Sequence, residues 1–106
     1  MNNFLHVASG SGDIASTLAP GKHWELQEVR LHLNDLGGAN DFTCTLDSGH
    51  GSAFDMVIFS VDLTSKKDYH YLPTRPLLFR ASDKLTFAWT NSSGRTYGLE
   101  VVYSSI

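Results

Sequence analysis

The first sustained alternation of apolar and polar positions runs over residues 23–33, His-Trp-Glu-Leu-Gln-Glu-Val-Arg-Leu-His-Leu. Val29, Leu31 and Leu33 alternate with Arg30 and His32, the period of a strand with one buried face. Trp24 and Leu26 alternate in the opposite phase. One extra residue at Gln27-Glu28, a β-bulge, returns both halves to the same face. A helix does not fit the 29-31-33 spacing.

The same period recurs down the chain. Phe42, Cys44 and Leu46 alternate with Thr43, Thr45 and Asp47, and Leu85, Phe87 and Trp89 alternate with Thr86, Ala88 and Thr90. Tyr97, Leu99, Val101 and Tyr103 close the sequence in the same way. Residues 54–61 are almost continuously apolar, as expected of a strand covered on both faces. Tyr69 to Leu72 and Leu77 to Arg80 read as short strands. Pro73 and Pro76 between them exclude a helix or a central strand. Gly37-Gly38, Ser48 to Ser52, Ala81 to Asp83 and Asn91 to Gly94 supply the turns.

The pattern predicts strands near 23–33, 41–47, 54–61, 69–72, 77–80, 84–90 and 97–104. Val29, Leu31, Leu33, Phe42, Leu46, Phe87, Leu99 and Val101 are the predicted core. About seven or eight short strands at this spacing define an all-β fold, a single antiparallel β-sandwich. The strand count favours a jelly-roll topology over an immunoglobulin-like one.

Residues 1–22 are less regular. Phe4, Leu5 and Val7 suit a short strand, Ala8 to Asp13 is small and polar, and Ile14 and Leu18 precede the turn Pro20-Gly21. This segment reads as an N-terminal arm or extended segment, with one helical turn at 14–18 as an alternative, ahead of a sandwich domain at 23–106. On such an arm Phe4, Leu5, Val7, Ile14 and Leu18 are candidate interface residues, laid over a neighbouring subunit. The rival reading is that Phe4 to Val7 completes the domain's own sheet and 8–22 is a surface loop.

At 106 residues the chain matches one domain with one core. Charged residues make up 18% of it, below the usual quarter or so, as expected of a surface partly covered by partners. Its net charge is −3 and its eight Lys and Arg residues are scattered, so no direct nucleic-acid role is expected. No apolar run reaches the length of a membrane span. The first residues lack the basic start and apolar run of a signal peptide, so synthesis in a cytoplasm is expected. The single cysteine, Cys44, forms no intrachain disulfide and reads as a small buried hydrophobe.

Candidate chemistry is sparse. The five histidines form no HxH or HxxxH pair, and no converging zinc set is visible. The aspartates cluster near strand ends, where they bond to local backbone, and no calcium loop of the EF-hand kind is present. Asp47-Ser48-Gly49-His50-Gly51-Ser52 is a place for a serine nucleophile but lacks the Gly-x-Ser-x-Gly pattern and its α/β setting. Neither enzymatic activity nor a cofactor is expected. Trp24 and Trp89 read as core. Tyr69 and Tyr71 share one strand face beside the proline pair and are the candidate exposed pair, a platform for a neighbouring subunit or a sugar ring.

The stretches 23–33, 42–49 (Phe-Thr-Cys-Thr-Leu-Asp-Ser-Gly), 83–91 (Asp-Lys-Leu-Thr-Phe-Ala-Trp-Thr-Asn) and 97–103 (Tyr-Gly-Leu-Glu-Val-Val-Tyr) together resemble small structural proteins of tailed bacteriophages. The resemblance spans most of residues 20–103 and carries no functional residue. It implies a virion β-sandwich made in the host cytoplasm, a capsid decoration or stabilising protein or a tail component. Its partners would be itself and other virion proteins. A carbohydrate-binding module using exposed Tyr and Trp is the alternative function.

Overall fold

In the computed structural model, which describes residues 3–106, the chain forms nine strands. In order they are β1 (Asn3–Gly10), β2 (Ile14–Leu18), β3 (Trp24–Leu33), β4 (Asp41–Asp47), β5 (Met56–Asp62), β6 (Asp68–Tyr71), β7 (Leu77–Phe79), β8 (Lys84–Trp89) and β9 (Tyr97–Ser105). A single 3-10 turn spans Ser52–Phe54. The pairing is nested. β1 pairs with β9, β2 with β8, β3 with both β6 and β7, and β4 with β5, all antiparallel. The chain is thus one long hairpin folded back at the β4–β5 connection. Rolling that hairpin sets β3 beside β9 and β4 beside β8. The result is a five-stranded sheet ordered β1-β9-β3-β6, with β7 also on β3, facing a four-stranded sheet ordered β2-β8-β4-β5. This ordering is the double-sheet jelly roll.

The bulge expected in β3 is present. The β3–β9 register shifts between Leu26 and Glu28, and Trp24, Leu26, Val29, Leu31 and Leu33 are all buried. Gln27, the extra residue, donates from Nε2 to the Oγ of Ser104 at 2.6 Å, and Ser104 donates on to Asn3 at 2.9 Å. The bulge therefore satisfies a hydroxyl that is fully buried. Facing side chains from the other sheet complete the core, with Phe42 and Phe87 stacked at 6.4 Å. Of the predicted core only Leu46 is half-buried, because it lies at the edge of the sandwich where the two sheets part.

The N-terminal expectation needs correction over the described residues 3–22. There is no separate arm ahead of a domain at 23–106, because β1 completes one sheet and β2 completes the other. Ile14, Ser16 and Leu18 face Trp89, Phe87 and Leu85 with a period of two, so 14–18 is a strand and not a helical turn. Ile14 and Leu18 are 2% and 3% exposed and belong to the core; neither is available as an interface residue. Phe4 is half-buried and stacks on Tyr103 at 5.4 Å. Leu5 and Val7 alone among the five remain exposed.

A buried asparagine holds one end of the sandwich together. Asn91 donates from Nδ2 to the carbonyls of Ser11, Gly12 and Arg95, and its Oδ1 accepts the Arg95 N–H. Its own N–H is taken by Asp13. The β1–β2 turn and the β8–β9 loop are thereby joined through one side chain.

Two stability outcomes follow from this packing. Leu31→Ala should destabilise by roughly 2–5 kcal/mol in denaturant unfolding, the range for a truncated core leucine. Asn91→Ala should cost on the order of 3 kcal/mol, since three carbonyls and the Arg95 amide lose the buried side chain that joins them. A loss under about 0.5 kcal/mol, the level of an ordinary surface change, would show that water replaces the asparagine at no penalty.

Candidate functional site

The sandwich is closed along part of its β5/β6 side and open along the rest. Phe59 on β5 meets Tyr69 at 5.4 Å and Tyr71 at 4.8 Å on β6, so aromatic rings zip the two sheets together there. The expected exposed tyrosine pair is in fact half-buried against the core. Beyond Tyr71 the sheet edge breaks, because Pro73 and Pro76 cannot continue the ladder. β7 resumes pairing with β3 further along, opposite Trp24 to Leu26. On the facing strand Ile58 is skipped where the β4–β5 register shifts. Between these two irregular edges lies a cleft of about 820 Å³.

The cleft is mostly apolar. Leu46, Ile58, Leu77 and Phe79 line it from the core side. Phe54, Met56 and Leu78 line it too, yet they are 64%, 56% and 68% exposed. Folding alone gives no reason to keep three large apolar side chains in water around one hollow. Such a concentration marks an interaction site. A second, smaller hollow of about 390 Å³ lies over Gly98, between Val7, His32 and Glu100.

Ser48, His50, Arg80 and Asp83 form the polar rim of the main cleft. These include the residue types of a nucleophilic triad, but their bonds form no relay. The Nε2 of His50 accepts from Arg80 at 2.5 Å. The Ser48 hydroxyl accepts the backbone N–H of His50 at 3.1 Å. Both carboxylate oxygens of Asp83 are occupied by backbone, Oδ1 by the Gly49 N–H at 3.0 Å and Oδ2 by the Arg80 N–H at 2.8 Å. The geometry is that of a loop clamp. Asp83 ties its own turn to the β4–β5 loop. Gly49 is required at the crossing, since a Cβ there would fall 2.3 Å from the Cβ of Ser82.

Burial acts to raise the Asp83 pKa. The two backbone amides, and the Arg80 cation beside it, outweigh burial and hold the carboxyl below its ordinary value. Cys44 shows the opposite balance: burial alone pushes its thiol up to about 12, which removes it as a nucleophile at neutral pH.

Trp24 and Trp89 are both buried, and Trp89 donates to the Ala39 carbonyl at 3.1 Å. The Trp24 indole N–H has no partner among the described residues. The outer face of the five-stranded sheet is polar by contrast. Glu28 pairs with His70 at 2.6 Å, Arg30 with Glu100 at 3.8 Å, and His32 with Asp68 at 2.5 Å. Among the described residues no group of three or more His, Cys, Asp or Glu side chains is placed to hold a metal ion. No helix among them is long and apolar enough to cross a membrane. Strand alternation marked which faces are buried but gave no sign of the cleft. Its lining comes from four separated stretches, and only the proline pair pointed to an irregular edge.

No protein-family model and no curated protein matches the sequence. Among solved structures the chain is similar to the Yersinia pseudotuberculosis-derived mitogen, with a TM-score of 0.43, 16% identity, and coverage of 95% of this chain and 84% of that one.

The clamp makes a pH-dependent outcome checkable. A depressed folded-state pKa stabilises the fold above the unfolded value and ceases to do so as the pH falls through the folded one. Asp83→Asn should therefore cost about 1–3 kcal/mol at pH 7. In urea unfolding, the gap between variant and wild type should shrink as the pH is taken below about 4. A gap that stays constant with pH would show that the charge of Asp83 is not what holds the loops.

Proposed function

We propose that the protein works by binding other protein subunits, as a non-enzymatic structural component of a bacteriophage particle. The observation that carries the binding half is the apolar cleft between β5 and β7, with Phe54, Met56 and Leu78 held exposed at its mouth. Its volume falls within the usual range for a built binding site. An apolar segment of a neighbouring subunit is the occupant that fits, since the lining is aliphatic and aromatic while Arg80 and His50 at the rim bond to each other and Asp83 bonds to backbone amides. The bond pattern at that rim favours a role without catalysis. The phage half rests on the resemblance over residues 20–103. A jelly roll is compatible with it, because viral capsid domains are among the proteins built this way.

Sugar binding is the second reading. Both tryptophans are buried, so it would use Tyr71 and Phe54, with His50 and Arg80 as the polar groups beside the rings.

The test is incorporation into purified particles of the encoding phage. Mass spectrometry of gradient-purified particles should find the chain at a fixed ratio to the major capsid or tail protein, and its absence would overturn the virion reading. Leu78→Asp alters an exposed side chain and should change stability by no more than about 0.5 kcal/mol. It should nevertheless reduce incorporation at least tenfold. Undiminished incorporation would remove the cleft from the interface. Chemical-shift changes at Tyr71 on adding oligosaccharides, without incorporation into particles, would favour the second reading.

A further inference from the structure

The two sheets have four outer edges, β1 and β6/β7 in one and β2 and β5 in the other. A free edge strand presents unpaired N–H and C=O groups to any other strand. Folded proteins block such edges with short lengths, prolines, bulges or charges. Two of the four are blocked in this way, and a third, β2, offers a shorter edge than β1. β6 and β7 are four and three residues long, with Pro73 and Pro76 between them. β5 carries the irregularity at Ile58 and has Asp55 and Asp62 at its ends. β2 is only five residues long.

β1 carries none of these devices. Its eight residues keep unbroken register with β9 from Asn3 opposite Ser104 to Gly10 opposite Tyr97. It contains no proline, Lys, Arg, Asp or Glu. Its one titratable group, His6, shares a 2.7 Å hydrogen bond with Ser16, and burial lowers its pKa, so the strand is uncharged at neutral pH. Alternate residues direct both backbone groups away from β9, which leaves half of the strand's donors and acceptors unpaired. Leu5 and Val7 stand on the outer face, 52% and 60% exposed, beside Val102 of β9.

We propose that β1 pairs with β1 of a second copy of this chain, antiparallel about a two-fold axis, so that the two five-stranded sheets become one continuous sheet. The strand is compatible with its own reverse. With the axis at His6, Leu5 of each copy falls opposite Val7 of the other, and Phe4 falls opposite Ala8. Apolar side chains then meet on the outer face, and no like charges do. The isologous contact closes on itself, so assembly stops at two. One strand edge and a few side chains make less than a standard interface, so the expected dissociation constant is on the order of micromolar. This surface is at the opposite edge of the sheet from the cleft, and the inference stands apart from the particle reading.

The test measures the mass of the full chain alone by sedimentation equilibrium, over chain concentrations from about 1 to 200 µM. The mass should rise from 11.7 kDa toward twice that value. Amides of β1 should gain hydrogen-exchange protection over the same range. Leu5→Lys with Val7→Lys replaces two exposed side chains and should leave the unfolding midpoint nearly unchanged, while holding the mass at that of the monomer. Val7→Lys alone, a milder change, should weaken the dimer at least tenfold. Leu78→Asp, at the cleft, should leave the dimer intact. A wild-type mass that stays at 11.7 kDa, growth past the dimer, or a dimer undiminished in a folded double variant would each overturn the proposal.

Discussion

The bulge in β3 is the constraint on which the rest of this sandwich depends. β3 is the strand that β9, β6 and β7 all pair with, and β1 joins the five-stranded sheet through β9. In a regular strand with no bulge at Gln27, Trp24 and Leu26 would lie on the solvent face whenever Val29, Leu31 and Leu33 lay on the core face. A slip of one residue exchanges the faces of a whole strand. The bulge brings all five inward, and Gln27 itself bonds to the buried Ser104. The irregular residue thus keeps a tryptophan out of solvent and gives the buried Ser104 hydroxyl a donor as well as its Asn3 acceptor.

Polar side chains then decide how the loops sit on that core. Asn91 joins the β1–β2 turn to the β8–β9 loop, and Asp83 joins the β7–β8 turn to the β4–β5 loop. Both are buried, and each bonds to backbone groups of the two loops it joins. A jelly roll brings sequence-distant loops together at its ends, and each pair of loops needs something to hold it. Here a short polar side chain does so in both cases, in one as a neutral amide and in the other as a carboxylate kept ionised by its surroundings.

The two sides of the sandwich are finished differently, which gives the molecule its proposed polarity. On one side the prolines and the skipped Ile58 spoil the strand edges and leave an apolar cleft between the sheets. On the other, β1 is regular, uncharged and open. The first side suits the insertion of a side chain or a short segment. The second suits the addition of a strand. A subunit that assembles through both uses shape on one side and backbone hydrogen bonds on the other.

What the sequence determined was the direction in which side chains point. Alternation is a local property of extended backbone, so the faces of β3, β4, β8 and β9, the bulge, and the burial of both tryptophans were legible residue by residue. The all-β class and the strand spacing followed from the same signal. β2 escaped notice because its alternation is only three positions long, with Ser16 in the middle. Its identity as a strand depends on Trp89, Phe87 and Leu85 across the ladder. Which edges stay free, which loops meet, and where the sheets part were decided by the tertiary structure alone. Each of these depends on residues far apart in the chain. Leu46, Met56, Tyr71 and Leu78 become one cleft only after the long hairpin has rolled up. Tyr69 and Tyr71 look like an open aromatic pair until Phe59 of the opposite sheet packs against them. A side chain's face is set by its neighbours in sequence, but its exposure is set by what the rest of the chain brings to that face.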